Sequence, residues 1–129
     1  MEENLKKLLI KDLCYRLPYG VICTDSRHGD SKITDINVAI EMVYCDDFDE
    51  YIEIKDCKPY LRPMSSMTEE ERKEYELLAN HCIVTSIGFI HLEAAPLIDW
   101  LNTHHFDYRG LIEKGLALEA PEGMYNLND

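Results

Sequence analysis

The sequence reads as an α+β protein: a small antiparallel sheet with about three helices packed on it, forming a single domain over residues 1–129. Three observations predict this. Segments of period-two alternation mingle with segments of near-helical leucine spacing. They lack the regular strand–helix–strand order that builds a parallel sheet. A chain of 129 residues with 46% hydrophobic content also suffices for one core, since roughly two-thirds of the unfolded surface is buried at this size.

The first element is a helix, with Leu5, Leu8, Leu9, Leu13 and Leu17 on one side and lysine and aspartate on the other. Pro18 ends it and Tyr19-Gly20 turns the chain. Val21 to Thr24 is a strand, and the turn-rich segment Asp25 to Asp30 joins it to the next as a hairpin. From Lys32 to Cys45 the period is two, which puts Ile36, Val38, Ile40, Met42 and Tyr44 on one face. A strand that long needs a break or bulge near Asp35, or is two shorter strands. A short strand covers Tyr51 to Ile54, and Cys57 to Met64, with Pro59 and Pro63, reads as irregular.

A second helix starts at Ser66 or Thr68 and runs to about Leu78 or Asn80. The β-branched Ile83 to Ile87 reads as a strand ending at Gly88. A third helix has Pro96 near its first turn, with Leu97, Ile98, Leu101 and His105 on one face and Trp100 and His104 on its flank. Arg109 to Lys114 makes a last helical turn closed by Gly115. Residues 121–129 read as a loosely held tail.

The formal charge is −12, from 25 acidic and 13 basic residues. Such a field repels nucleic-acid backbones and anionic membranes, so no direct nucleic-acid partner is expected, and it favours basic surfaces. The start MEENLKKLLIKDL is charged throughout, unlike a signal peptide. No stretch approaches the roughly 20 apolar residues of a membrane span. Cys14, Cys23, Cys45, Cys57 and Cys82 are odd in number and form no C-x-x-C pair. Reduced, partly buried thiols in a cytosol are the economical reading.

Two groups of residues invite a functional reading. At the start of the second helix, Thr68 with Glu71, and Ser66 with Glu69, each fit a capping box. Arg62, Ser65, Ser66 and Thr68 beside a helix N-terminus would cradle a phosphate-bearing or nucleotide-like ligand. The plainer alternative is a capped helix with Arg62 tied to a carboxylate, and Glu69, Glu70 and Glu71 would themselves repel an anion. The second group, His105, Asp107, Tyr108 and Arg109, follows the third helix. Adjacent histidines on a helix point about 100° apart, so a metal would need Asp107 or a distant ligand such as His81 or His91, and none is called for. His105 with Asp107 would make an acid–base pair for a hydrolase, but no nucleophile accompanies them and no catalytic motif is present. No cofactor is implied.

The acidic run Asp46, Asp47, Phe48, Asp49, Glu50 and Tyr51 is a hairpin tip facing a basic partner, with Phe48 and Tyr51 as exposed anchors. It is not an EF-hand: counting from Asp47, Ile52 stands where glycine is needed and Lys58 where glutamate is needed.

YLRPMSSMTEEER and DWLNTHHFDYRGLIEKGLALEAPEGMY, with the opening KDLCYRLPYGV, resemble an uncharacterised family of small proteins from bacteriophages and mobile elements of gut Bacteroidetes-type bacteria. These segments cover about half of the chain and leave Asn80 to Ala95 outside the likeness. The resemblance implies a phage or mobile-element setting in the cytoplasm of a bacterial host, and it brings no catalytic residues. It points to Arg62, Ser65, Ser66, Thr68, His105, Asp107, Tyr108 and Arg109 as belonging to the recognisable part. The expected protein is a non-enzymatic acidic binder that inhibits or adapts a host defence or nucleic-acid-binding protein. A small-molecule binder, a hydrolase and a homodimer are the alternatives.

Overall fold

The computed structural model describes residues 2–88 and 95–125, with backbone alone for 81–88. Helix α1 spans Glu3–Arg16 and passes into a 3-10 turn, Leu17–Tyr19, that holds Pro18. Strands β1 (Ile22–Asp25), β2 (Gly29–Asn37), β3 (Met42–Cys45), β4 (Tyr51–Glu53) and β5 (Lys58–Leu61) follow. Helices α2 (Glu69–Gly88) and α3 (Ala95–Thr103) and the two-residue strand β6 (Leu118–Glu119) complete the described chain. The sheet order is β4-β3-β2-β1-β5-β6, with every pairing antiparallel except β5 with β6. The α+β class is therefore as expected, with six strands in the sheet of the described chain.

The long period-two segment contains both of the anticipated irregularities. Register shifts between Ile33 and Asp35, and a turn over 38–41 separates β2 from β3. Val38 and Ile40 sit in that turn and are exposed, and in β3 it is Val43 and Cys45 that face the core, while Met42 and Tyr44 take the other side. The bulge lets the sheet curl. The thiols of Cys23 on β1 and Cys45 on β3 lie 3.2 Å apart although β2 separates their strands. Contact with Cys23, together with burial, pushes the Cys45 thiol well above its ordinary range and keeps it protonated.

Inside the curl, Val21, Ile33, Val43, Ile52, Ile54 and Leu61 meet Leu9 and Leu13 of α1 and Leu111 and Leu116 from the C-terminal segment. Each such side chain contributes about 1.5–3 kcal/mol on burial. Cys23, Cys45 and Cys57 are buried among them as unlinked thiols, and Cys14 is exposed.

Two stretches differ from the sequence reading. Residues 83–87 are helical, because α2 continues to Gly88. β-Branched residues disfavour a helix by only tenths of a kcal/mol each, too little to stop one already nucleated upstream. The segment predicted irregular contains β5, even though Pro59 has no N–H for the ladder. The β1–β5 ladder covers Cys23↔Pro59 and Thr24↔Lys58. One step further on, the Tyr125 hydroxyl accepts from the Ile22 N–H (2.9 Å) and donates to the Tyr60 carbonyl (2.7 Å), joining the two strands where the ladder stops. Tyr125 is thus anchored within the segment 121–129 read as a loose tail. Residues 126–129 lie outside the described chain.

The polar side of α1 also departs from expectation. Asp12 is fully buried, as is Arg16 one turn later. Arg16 Nε donates to Asp12 Oδ2 at 2.6 Å and its Nη2 to Asp12 Oδ1 at 3.2 Å. Arg109 Nε reaches the same Oδ1 at 3.1 Å. One carboxylate thus serves two guanidinium groups and ties α1 to the C-terminal segment. Removing one partner of a buried pair leaves the other charge uncompensated. Asp12→Asn is accordingly expected to lower the unfolding free energy by about 3–5 kcal/mol in urea denaturation. A loss below about 1 kcal/mol, the range of an exposed pair, would contradict this assignment.

Candidate functional site

Arg62 follows β5 and faces the start of α2. Thr68 and Glu71 form the complete capping box: Glu71 N–H donates to Thr68 Oγ1 at 3.2 Å, and Thr68 N–H to Glu71 Oε1 at 2.9 Å. Ser66 turns away from the shifted version of the box and donates to the Pro63 carbonyl at 2.6 Å. The Glu71 carboxylate also receives the Arg62 guanidinium in fork geometry, Nη1 to Oε2 at 2.8 Å and Nη2 to Oε1 at 2.7 Å. These donors hold the Glu71 carboxyl well below its ordinary value, at about 2, the Arg62 bonds being the largest cause. The anion cradle read from the sequence is therefore filled by the chain's own carboxylate. Ser65 is exposed on the 3-10 turn Met64–Ser66.

The two recognisable segments do meet. Arg62 N–H donates to the His105 carbonyl, and Asp107 N–H to the Arg62 carbonyl, each at 2.8 Å. The Arg62 guanidinium lies 4.2 Å from the centre of the Phe106 ring. Across this join, however, the polar side chains of Arg62, Asp107, Tyr108 and Arg109 are already bonded within the fold. Asp107 accepts the Leu111 and Ile112 N–H groups at 2.8 and 3.0 Å, capping the turn that follows. That turn closes at Gly115 (φ 75°) in a Schellman pattern, Leu116 N–H to Leu111 and Gly115 N–H to Ile112. Tyr108 donates to Asn102 Oδ1 at 2.9 Å, and Arg16 and Arg109 both lie near its ring face, about 5.1 Å from its centre. Arg109 itself is held by Asp12, away from Arg62's carboxylate partner.

His105 plays the part usually taken by glycine. It ends α3 in the left-handed conformation (φ 63°), with Phe106 N–H bonded to Leu101 and His105 N–H to Asn102. Its ring is buried and stacks on Tyr125 at 3.6 Å between centroids. Its Nδ1 has no partner among the described residues. With both Asp107 oxygens bonded to backbone, the acid–base pair suggested by the sequence is not assembled. Among the described residues no group of three His, Cys, Asp or Glu side chains is placed to hold a metal ion. His81 and His91 lie outside what can be described of side chains.

The acidic loop is also less open than its composition suggests. Phe48 is 4% exposed and stacks on His28, so it is a core residue and not a surface anchor. Asp47 is bonded to Ser31 through its N–H (2.9 Å) and its carboxylate (3.3 Å), and Glu50 pairs with His28. Asp49 takes a left-handed conformation (φ 56°), which aspartate tolerates. Tyr51 remains exposed, its hydroxyl bonded to Asp35. Asp46 is bonded to Lys32 through its N–H.

A cleft of about 930 Å³ lies between the first turns of α2 and the segment 119–125, and the predicted residues Arg62, Ser66 and Thr68 are among those that line it. Glu70, Glu71, Glu74, Glu119 and Glu122 line it as well, together with His104. Glu71 is paired with Arg62, and Glu74 accepts the Trp100 indole N–H at 2.8 Å. Glu70, Glu119 and Glu122 have no cation partner among the described residues. The cleft is strongly acidic and open to cationic groups. The acidic composition hints at such a surface in the sequence, but Glu119 and Glu122 carry no local motif that would have placed them opposite α2. A scan against protein-family models, a search of curated proteins and a search of solved structures each return no match.

His105 supplies a pH dependence. Burial, followed by the charges of Arg16, Arg62 and His104, lowers its pKa from 6.5 to about 4. Below pH 6.5 the unfolded chain takes up a proton that the folded ring refuses, so stability falls with pH until the folded value is reached. His105 is expected to remove about 2 kcal/mol of stability between pH 7 and pH 5. His105→Asn keeps a residue that tolerates φ > 0 and should lack that component in urea denaturation at fixed pH. An identical pH profile in both proteins would contradict the assignment.

Proposed function

We propose that this chain is a non-enzymatic acidic binding protein that engages a basic segment of a protein partner through the cleft between α2 and residues 119–125. The observation that carries this reading is the cleft's lining: Glu70, Glu119 and Glu122 converge there without cation partners, and the cations present are engaged, Arg62 by Glu71. A concavity lined by one sign of charge focuses the field and raises the encounter rate with opposite charge. The chain's charge of −12 acts in the same direction. The setting implied by the resemblance, a phage or mobile element acting in a bacterial cytoplasm, supplies basic partners in host nucleic-acid-binding and defence proteins. No helix among the described residues is long and apolar enough to cross a membrane.

A phosphate-bearing ligand has less support. Arg62 and Arg109 are each held by a carboxylate, and the surrounding glutamates repel an anion. The test is fluorescence anisotropy with a labelled Lys/Arg-rich peptide, with inorganic phosphate and a nucleotide as competitors. The peptide should bind with an affinity that falls as salt rises, and the triple variant Glu70→Lys, Glu119→Lys, Glu122→Lys should weaken it about ten-fold or more. Equal binding by the triple variant, or competition by phosphate at low concentration, would overturn the reading.

A further inference from the structure

His28 sits in the turn between β1 and β2 with both ring nitrogens on carboxylates. Nδ1 is 2.7 Å from Asp25 Oδ2, and Nε2 is 2.9 Å from Glu50 Oε1. Its ring stacks on Phe48, with 4.8 Å between centroids. The Nδ1 contact is a hydrogen bond and the Nε2 contact an ion-pair approach, and because a carboxylate only accepts, both are favourable only when the ring carries two N–H groups and a positive charge. The neutral ring keeps one N–H and turns a lone pair toward the other carboxylate.

The two carboxylates are not equivalent. Asp25 is buried and also accepts the Arg27 N–H at 3.3 Å, whereas Glu50 is 55% exposed and has water as an alternative partner. Burial raises the Asp25 carboxyl, but the His28 and Arg27 bonds outweigh it and hold it below its ordinary value. The other groups facing this site are the Arg27 side chain and the thiols of Cys23 and Cys45, which feel the charge of Asp25. On losing a proton the ring keeps its N–H on Asp25, and the contact with Glu50 becomes lone pair against anion.

We propose that His28 is a pH-dependent latch for the acidic loop 46–50: the doubly protonated ring clamps Glu50 to the β1–β2 turn, and deprotonation releases it. Release frees the Glu50 end of the loop while Phe48 stays in the core and Asp47 stays on Ser31. None of the latch residues lines the acidic cleft, so the two proposals stand or fall separately.

The experiment is NMR on the full chain between pH 5 and pH 8, the range in which imidazole changes charge. It follows the ring nitrogen shifts of His28 together with the backbone 15N relaxation of Asp49, Glu50 and Tyr51. The population of the clamped loop read from those amides should drop roughly three-fold as the ring loses its proton, the scale of a half-exposed ion pair. Glu50→Gln should abolish the step, because an amide can donate to the neutral ring, and its exposure spares the fold. A ring that does not titrate in this range, loop relaxation that ignores its titration, or the same step in Glu50→Gln would overturn the proposal.

Discussion

The structure depends on how Phe106 is held. Its carbonyl accepts Arg16 Nη2 at 2.8 Å, its ring underlies the Arg62 guanidinium, and the peptide groups on either side bond the Arg62 backbone. The residue is fully buried. Through it α1, the end of β5 and the C-terminus of α3 are fixed against one another. Both arginines could do this only with carboxylates to neutralise them, Asp12 for Arg16 and Glu71 for Arg62. The two ion pairs are therefore part of the frame, and neither presents a free charge to a ligand.

That constraint sorts the acidic residues. Asp12, Asp107 and Glu71 are bonded within the fold, and Asp25 and Glu50 are bonded to His28. Among the acidic residues that the frame leaves without a cation partner, Glu70, Glu119 and Glu122 gather around the cleft. A net charge of −12 is a statement about the whole field, and the fold decides where that field is concentrated.

The sequence exposes what is local and hides what is distant. The capping box at Thr68 and the closure at Gly115 were legible because each is written within four or five residues. Asp12 and Arg16 stand four apart in the sequence, yet nothing local tells that they are buried, since a charged pair on a helix is ordinarily a solvated one. Phe48 looked exposed for the converse reason, being flanked by acids while its ring turns inward onto His28. β5 was obscured by Pro59 within it and Pro63 just beyond, and its ladder ends at a bridge from Tyr125, which lies 65 residues beyond Tyr60. Of the candidate residues, Arg62, His105 and Asp107 are brought together, but as architecture: a bridge, a left-handed helix end and a cap.

The central claim is that Arg62 is engaged by Glu71 and is not an anion receptor. The most direct measurement is the titration of the Glu71 side-chain carboxyl by carbon-detected NMR in the full chain. The account predicts a pKa of about 2, set chiefly by the Arg62 fork. A value near the ordinary 4.5 would mean that the guanidinium is free in solution, and the anion-binding reading of this end of α2 would have to be restored.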